Sequence, residues 1–181
     1  KRGGGATGEH SHAINLWQHY AHKIGAGKVV EVSASMAFVS DRIVDYDKIS
    51  SITLRTESGL LGRVIQDVVT SPPRKWVRLQ GTDGAMEWHG NYRGSSDAAF
   101  LSRKDGQRRE YLCIKSRPDD FIKELRHVEK CLSLKESFQS PIAIDRGLDT
   151  MLVIAAAYKS AKTGQIVRID YSRGYTCDAL N

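Results

Sequence analysis

Four of the six histidines in this chain, His10, His12, His19 and His22, fall within thirteen consecutive residues. Wound into a helix, His12, Asn15, His19 and His22 recur at spacings of three, four and three, so they share one stripe, with Glu9 a turn before His12. A histidine ordinarily titrates near neutrality, which suits it to move a proton to or from a substrate hydroxyl. The same stripe offers a second chemistry, because histidines one turn apart can share a zinc ion, although no HExxH sequence is present. The plain alternative is a row of imidazoles on a solvated face. For His19 and His22 that alternative weighs evenly. For His12, flanked by Glu9 and Asn15 and close to a glycine-rich segment, the functional reading is preferred.

Two glycine segments resemble phosphate-binding loops without meeting their requirements. Residues 3–8 satisfy G-x-G-x-x-G, but only Lys1 and Arg2 precede them, and no acid ends a second strand about 20 residues further on. Gly25-Ala26-Gly27-Lys28 fails as a nucleotide loop because Val29 stands where Ser or Thr should hold magnesium. The three cysteines, Cys113, Cys131 and Cys177, are odd in number and lack CxxC spacing, which argues against a disulfide framework or a structural zinc site. Packed, inert thiols in a reducing cytoplasm are expected.

These side chains need elements to position them. Ala13, Leu16, Trp17, Tyr20, Ala21 and Ile24 recur at helical spacing and predict a helix over Glu9–Ile24, closed by Gly25 and Gly27. From Lys28 to Val39 the apolar residues switch to period two, which predicts a strand with one wet or functional face. Further strands are predicted over Ile49–Thr56, Leu60–Thr70, Lys75–Gln80, Ala85–Asn91, Ala98–Ser102 and Arg109–Ile114, punctuated by Ser58-Gly59, Pro72-Pro73, Gly81 to Gly84 and Asp105-Gly106. A helix capped by Asp119-Asp120 follows, then a helix over Arg146–Lys162 ending at Gly164, then a last strand over Gln165–Tyr171. The expected fold is α+β: an open, predominantly antiparallel sheet with helices packed on one face. Its free face calls for a cover, either a second domain or another subunit.

Length and composition narrow the function classes. The 181 residues suit one domain with its own core, and 40% hydrophobic with 27% charged residues excludes disordered and fibrous chains. The net charge of +6 would suit an anionic partner. Its distribution argues against nucleic acid, because basic residues alternate with acids, as in Arg103-Lys104-Asp105 and Glu129-Lys130, instead of forming a stripe. The longest apolar run, Met151 to Ala157, falls far short of the roughly 18–20 residues of a membrane span, so no membrane partner is expected. No secretory leader opens the chain and its first residue is not Met, so we expect it to begin inside a longer protein.

In combination, several stretches resemble the C-terminal domain of the glucose-fructose oxidoreductase / inositol dehydrogenase (Gfo/Idh/MocA) family. They are Gly3-Gly4-Gly5 with Ser11-His12-Ala13-Ile14-Asn15-Leu16, then Val29 to Ala34, Ser58 to Val64, Val77 to Ala85, and Gly147-Leu148-Asp149 through Ala155 to Val167, in the family's order and across nearly the whole chain. The resemblance implies a single substrate-binding and oligomerisation domain over 1–181, with a Rossmann domain upstream that binds NAD or NADP. It implies hydride transfer between nicotinamide and a hydroxyl carbon of a sugar, cyclitol or sugar nucleotide, in a homo-oligomer built through the open sheet face. His12 matches the histidine of the family's D-x-x-x-H motif and is the implied acid/base residue, whereas the aspartate position falls on Gly8, and the aspartate three residues after the histidine is Asn15. Glu9 and Asn15 are expected to hold substrate hydroxyls, with Arg42, Tyr46 and Gln66 completing the pocket from the free sheet face. The family's E-K-P lysine and cofactor fingerprint belong to the Rossmann domain and have no counterpart here. Two alternatives stay open: a non-catalytic binding or oligomerisation module of the same fold, and a histidine-based metal site.

Overall fold

The computed structural model describes residues 4–40, 44–94, 96–134 and 140–181, apart from the side chains of Glu9 and His10. In chain order the elements are α1 (Ala6–Lys23), β1 (Val29–Ser40), β2 (Asp45–Thr56), β3 (Leu61–Asp67), β4 (Lys75–Gln80), β5 (Gly84–Tyr92), β6 (Ser96–Arg103), β7 (Arg108–Ile114), α2 (Asp119–Ser133), α3 (Ile144–Thr163) and β8 (Val167–Arg168), with short 3-10 turns at Tyr171–Arg173 and Cys177–Ala179. The chain divides into two compact units, residues 1–69 with 139–181, and residues 70–138. Each unit holds one four-stranded antiparallel ladder, ordered β3-β2-β1-β8 in the first and β4-β5-β6-β7 in the second. The α+β class and the antiparallel strands are as expected, with the hydrogen bonding shared between two ladders.

In the first unit the alternation of apolar residues sets the layers. Val32 pairs with Leu54 and Ala34 with Ile52, and Val64 pairs with Ile52 from the other side, so their side chains share one face of the ladder. The apolar stripes of α1 and α3 cover that face. Ile14, Val29, Val32, Ile52, Leu54, Val153, Ala156 and Val167 are buried in one cluster. On β3, Gly62 faces the same way, and the indole of Trp17 lies where a Cβ would stand. Gly62→Ala should therefore cost about 1–3 kcal/mol through overpacking. Gly147→Ala, on α3 with nothing near the added methyl, should be neutral or stabilise by up to about 1 kcal/mol; urea unfolding of the two variants separates these outcomes.

The termini of the elements show where local chemistry moves the expected boundaries. Gly164, at φ 70°, ends α3 as anticipated, and its N–H reaches the Ser160 carbonyl. The last strand keeps only two residues because the Asp170 carboxylate accepts both the backbone N–H and the hydroxyl of Ser172, which starts a 3-10 turn. Asp119 and Asp120 lie in the first turn of α2 instead of capping it. The Asp119 carboxylate accepts the Ser116 N–H, and that bond holds it below the usual carboxylate range.

The second unit is built on the β4–β7 meander. Lys115 bridges Asp120 and Asp97 at 2.9 Å each, and these bonds raise its ammonium above the ordinary lysine value. Helix α2 buries no side chain. The expectation of packed thiols is corrected here. Cys113, on edge strand β7, and Cys177 are exposed, and the half-buried Cys131 lies 3.4 Å from the His127 imidazole, one helical turn away.

Candidate functional site

Helix α1 starts at a buried carboxylate. Asp47, fully buried on β2, accepts the Thr7 N–H at 2.8 Å and the Tyr158 hydroxyl at 2.7 Å. With the phenol proton on Asp47, the Thr7 hydroxyl donates to the Tyr158 oxygen at 2.9 Å. Burial first, and its bond to Asp47, hold the Tyr158 phenol above its ordinary value. A negative group from a distant strand thus takes the place of a side-chain cap at the positive end of α1. Gly5 makes this approach possible: its φ is 86°, and a Cβ there would overlap the Asp47 carboxylate.

From this fixed start α1 presents the predicted stripe. His12 is solvent-exposed, six residues and about 9 Å into the helix. Asn15 donates to the Thr150 hydroxyl of α3 at 3.1 Å, and Thr150 donates in turn to the Gln18 carbonyl at 2.8 Å. The stripe therefore borders α3 over its second half and is open at His12. Glu9 belongs to α1, but its side chain lies outside the described residues, as does Arg42 altogether. Tyr46 is half-buried and pairs with Val39. Gln66 departs from its expected place on the free face. It pairs with Ser50 and faces inward beside Val64 at 6% exposure, because the alternation of β3 turns it under the helices. Neither Gln66 nor the Ser50 hydroxyl has a side-chain hydrogen-bond partner among the described residues.

The C-terminal half of α1 meets α3 over a second polar group. Asp149, 3% exposed, accepts from the Lys28 ammonium at 2.9 Å and stands 4.0 Å from His22 Nε2. Lys28 also donates to the Tyr175 hydroxyl at 3.1 Å and lies over the Tyr171 ring at 4.4 Å. Burial alone would lower the Lys28 ammonium, but its bonds to Tyr175 and Asp149 together outweigh that and raise it. For Tyr171, burial first and the Asp149 charge second push the phenol upward. His22 is shifted the other way: burial, then the Arg146 guanidinium, holds its imidazole below the ordinary histidine value.

The His22 shift predicts a pH dependence. A depressed histidine contributes stability that is complete above its unfolded value, near about pH 6.5, and is lost as pH falls through the folded value. Urea unfolding at about pH 7.5 and about pH 5 should show a smaller acid-side loss for His22→Gln than for the parent protein. Equal losses would remove His22 from the titration.

Asp47, Asp149, Lys28 and Tyr158 were not singled out from the sequence. Their partners stand 29 to 151 positions away, and none carries a local spacing signal. Asp149 had the only hint, its place in Gly147-Leu148-Asp149.

No protein-family model and no curated protein matches the chain. Solved structures do. An aldose-aldose oxidoreductase from Caulobacter crescentus, in complex with glycerol, is 21% identical and superposes with a TM-score of 0.70 over 92% of this chain and 48% of its own. An NAD-binding oxidoreductase from Klebsiella pneumoniae gives 15% identity and a TM-score of 0.69 over 91% and 50%. The WlbA dehydrogenase of Bordetella pertussis, in complex with NADH and UDP-GlcNAcA, gives 20% and 0.62 over 92% and 47%. The chain thus spans about half the length of the structures it matches. Its fold is that of the Gfo/Idh/MocA C-terminal domain.

Within this Gfo/Idh/MocA fold the glycine-rich start does not fit a dinucleotide. A pyrophosphate needs open backbone N–H groups, and here the Asp47 carboxylate lies against Gly5 and already accepts the Thr7 N–H. Among the described residues no three His, Cys, Asp or Glu side chains converge as ligands for a metal ion.

Proposed function

We propose that this chain is the substrate-binding and subunit-contact domain of an NAD(P)-dependent oxidoreductase that acts on a hydroxyl carbon of a sugar, cyclitol or sugar nucleotide. The observation that supports this reading is a shared fold: nine-tenths of the chain superposes on half of each of several oxidoreductases, two of them holding glycerol or UDP-GlcNAcA. Hydride acceptance is the chemistry a nicotinamide supplies when bound, and in this reading a domain outside the chain holds it. The chain's own part is proton handling and substrate orientation.

His12 suits the first task because its imidazole is exposed on a helix whose start is fixed by Asp47. As the substrate hydroxyl becomes a carbonyl, its proton passes to His12, and in the reverse direction His12 returns it. Asn15, one turn on, has one amide hydrogen directed to Thr150, which fixes the carboxamide and directs its remaining groups toward a substrate hydroxyl. Glu9 and Arg42 complete the proposed set, with Tyr46 near the start of β2 and Gln66 as an inward, supporting residue. Subunit contact is assigned to the second unit's ladder, where Trp76, Leu112 and Ile114 are exposed on one face.

The test is a substrate screen with the intact protein, following nicotinamide reduction with cyclitols, aldoses, sugar acids and sugar nucleotides. Reduction with at least one of these classes is expected. Failure of the intact protein to bind NAD or NADP would remove the proposal.

A further inference from the structure

The cleft between the C-terminal half of α1 and the first turns of α3 takes no part in the proton transfer assigned to His12. It encloses about 200 Å³ and is lined by Gln18, His19, His22, Lys23, Arg146 and Asp149, among others. We propose that this cleft is an anion site that takes a phosphate group between His22, Lys23 and Arg146. It shares one residue with the oxidoreductase reading, Asn15, which lines the cleft but is not one of the phosphate contacts.

Charge is the first support. Among the described residues that line the cleft the one carboxylate, Asp149, is already engaged by Lys28 at 2.9 Å, so the Lys23 and Arg146 charges face the space in excess, with two imidazoles as further N–H donors. Arg146 makes no side-chain hydrogen bond or ion pair among the described residues, although its guanidinium lies close enough to His22 to depress that imidazole. A planar guanidinium beside an imidazole one helix away suits a tetrahedral oxyanion, which it can grip with two parallel N–H bonds. His19, His22 and Lys23 sit at spacings of three and four on one face of α1 and thus point to the same side.

An uncommitted amide donor is the second support. Gln18 is 6% exposed and lines the cleft, yet only its carbonyl is used, by the Thr150 hydroxyl. Its amide nitrogen has no partner among the described residues and is not among the sealed polar atoms, so its N–H groups stay open to a ligand in the cleft. An oxyanion in the cleft would accept it.

The groups acting on His22 from all sides are Arg146 and Asp149 of α3, Lys28 before β1 and Glu57 after β2. An added anion would offset the cations among them and raise the imidazole. Inorganic phosphate titrated into the protein at about pH 6, read from the His19 and His22 imidazole NMR signals, should give saturable shifts with an upward displacement of the His22 titration. Arg146→Gln should weaken binding at least about tenfold, Lys23→Gln severalfold, and Arg173→Gln, which lies outside the cleft, not at all. Competition by glucose 6-phosphate but not by glucose would show that the phosphate can be part of a sugar ligand. Saturation by phosphate without competition from the sugar phosphate would assign the site to the free anion. Shifts that never saturate, or an affinity unchanged in Arg146→Gln, would overturn the proposal.

Discussion

Replacing His12 by glutamine is expected to lower kcat of the intact protein about a hundred- to ten-thousand-fold, the usual contribution of a positioned acid/base group. The interaction exists only as the hydroxyl proton leaves, so kcat and kcat/KM should fall together while KM stays within a few-fold. The fold should be untouched, because His12 is exposed and among the described residues no side-chain bond ties it to another element. Steady-state kinetics alongside a thermal melt checks both halves. A variant that melts like the parent and turns over like the parent would make the histidine a surface residue.

The second large effect belongs to Asp47. Asp47→Ala leaves the Thr7 N–H unpaired and strips the Tyr158 hydroxyl of its acceptor, leaving it only its bond with Thr7, at roughly 1–3 kcal/mol each. It also removes a carboxylate from the positive end of α1, which contributes about 0.3–1 kcal/mol. A total loss of about 3–5 kcal/mol is expected in denaturant unfolding. Tyr158→Phe removes its bond to Asp47 and the one it accepts from Thr7, and should cost about 1–2 kcal/mol. In the double variant the two losses should not add, since the groups share a bond. Because the same carboxylate fixes the start of the helix that carries His12, Asp47→Ala should also depress turnover beyond what unfolding explains. A loss under about 1 kcal/mol would mean that solvent replaces the carboxylate, and the fixed helix start would be lost from the explanation.

The elements were legible because their signals are local. Period-two alternation from Lys28 to Val39 and helical spacing from Ala13 to Ile24 depend on residues a few positions apart, and both elements lie where that spacing puts them. Distant partners move the boundaries that differ. Helix α1 gains a turn at its start because Asp47, some forty positions away, holds Thr7, and the last strand stops at Arg168 because Asp170 turns onto Ser172. How the strands share hydrogen bonds was equally hidden, since alternation alone does not say which strands become neighbours.

The site divides in the same way. The stripe of His12, Asn15, His19 and His22 is a helical spacing and was readable. That its second half borders α3, with Asn15 on Thr150 and His22 near Asp149, depends on packing between residues more than a hundred positions apart. Gln66 shows the complementary failure. Its side of the strand follows from the register against Ser50, and a glutamine on the inner face carries no compositional warning, so a polar residue expected on the open face lies under the helices.

The most direct test of the account is to follow deuterium in the intact protein, from a substrate labelled at the hydroxyl-bearing carbon to the nicotinamide ring. If the chain is the substrate domain of a hydride-transferring oxidoreductase, the label is found on the reduced nicotinamide, and its transfer slows sharply in His12→Gln. Reduced nicotinamide free of the label, or transfer at the parent rate in His12→Gln, would contradict it.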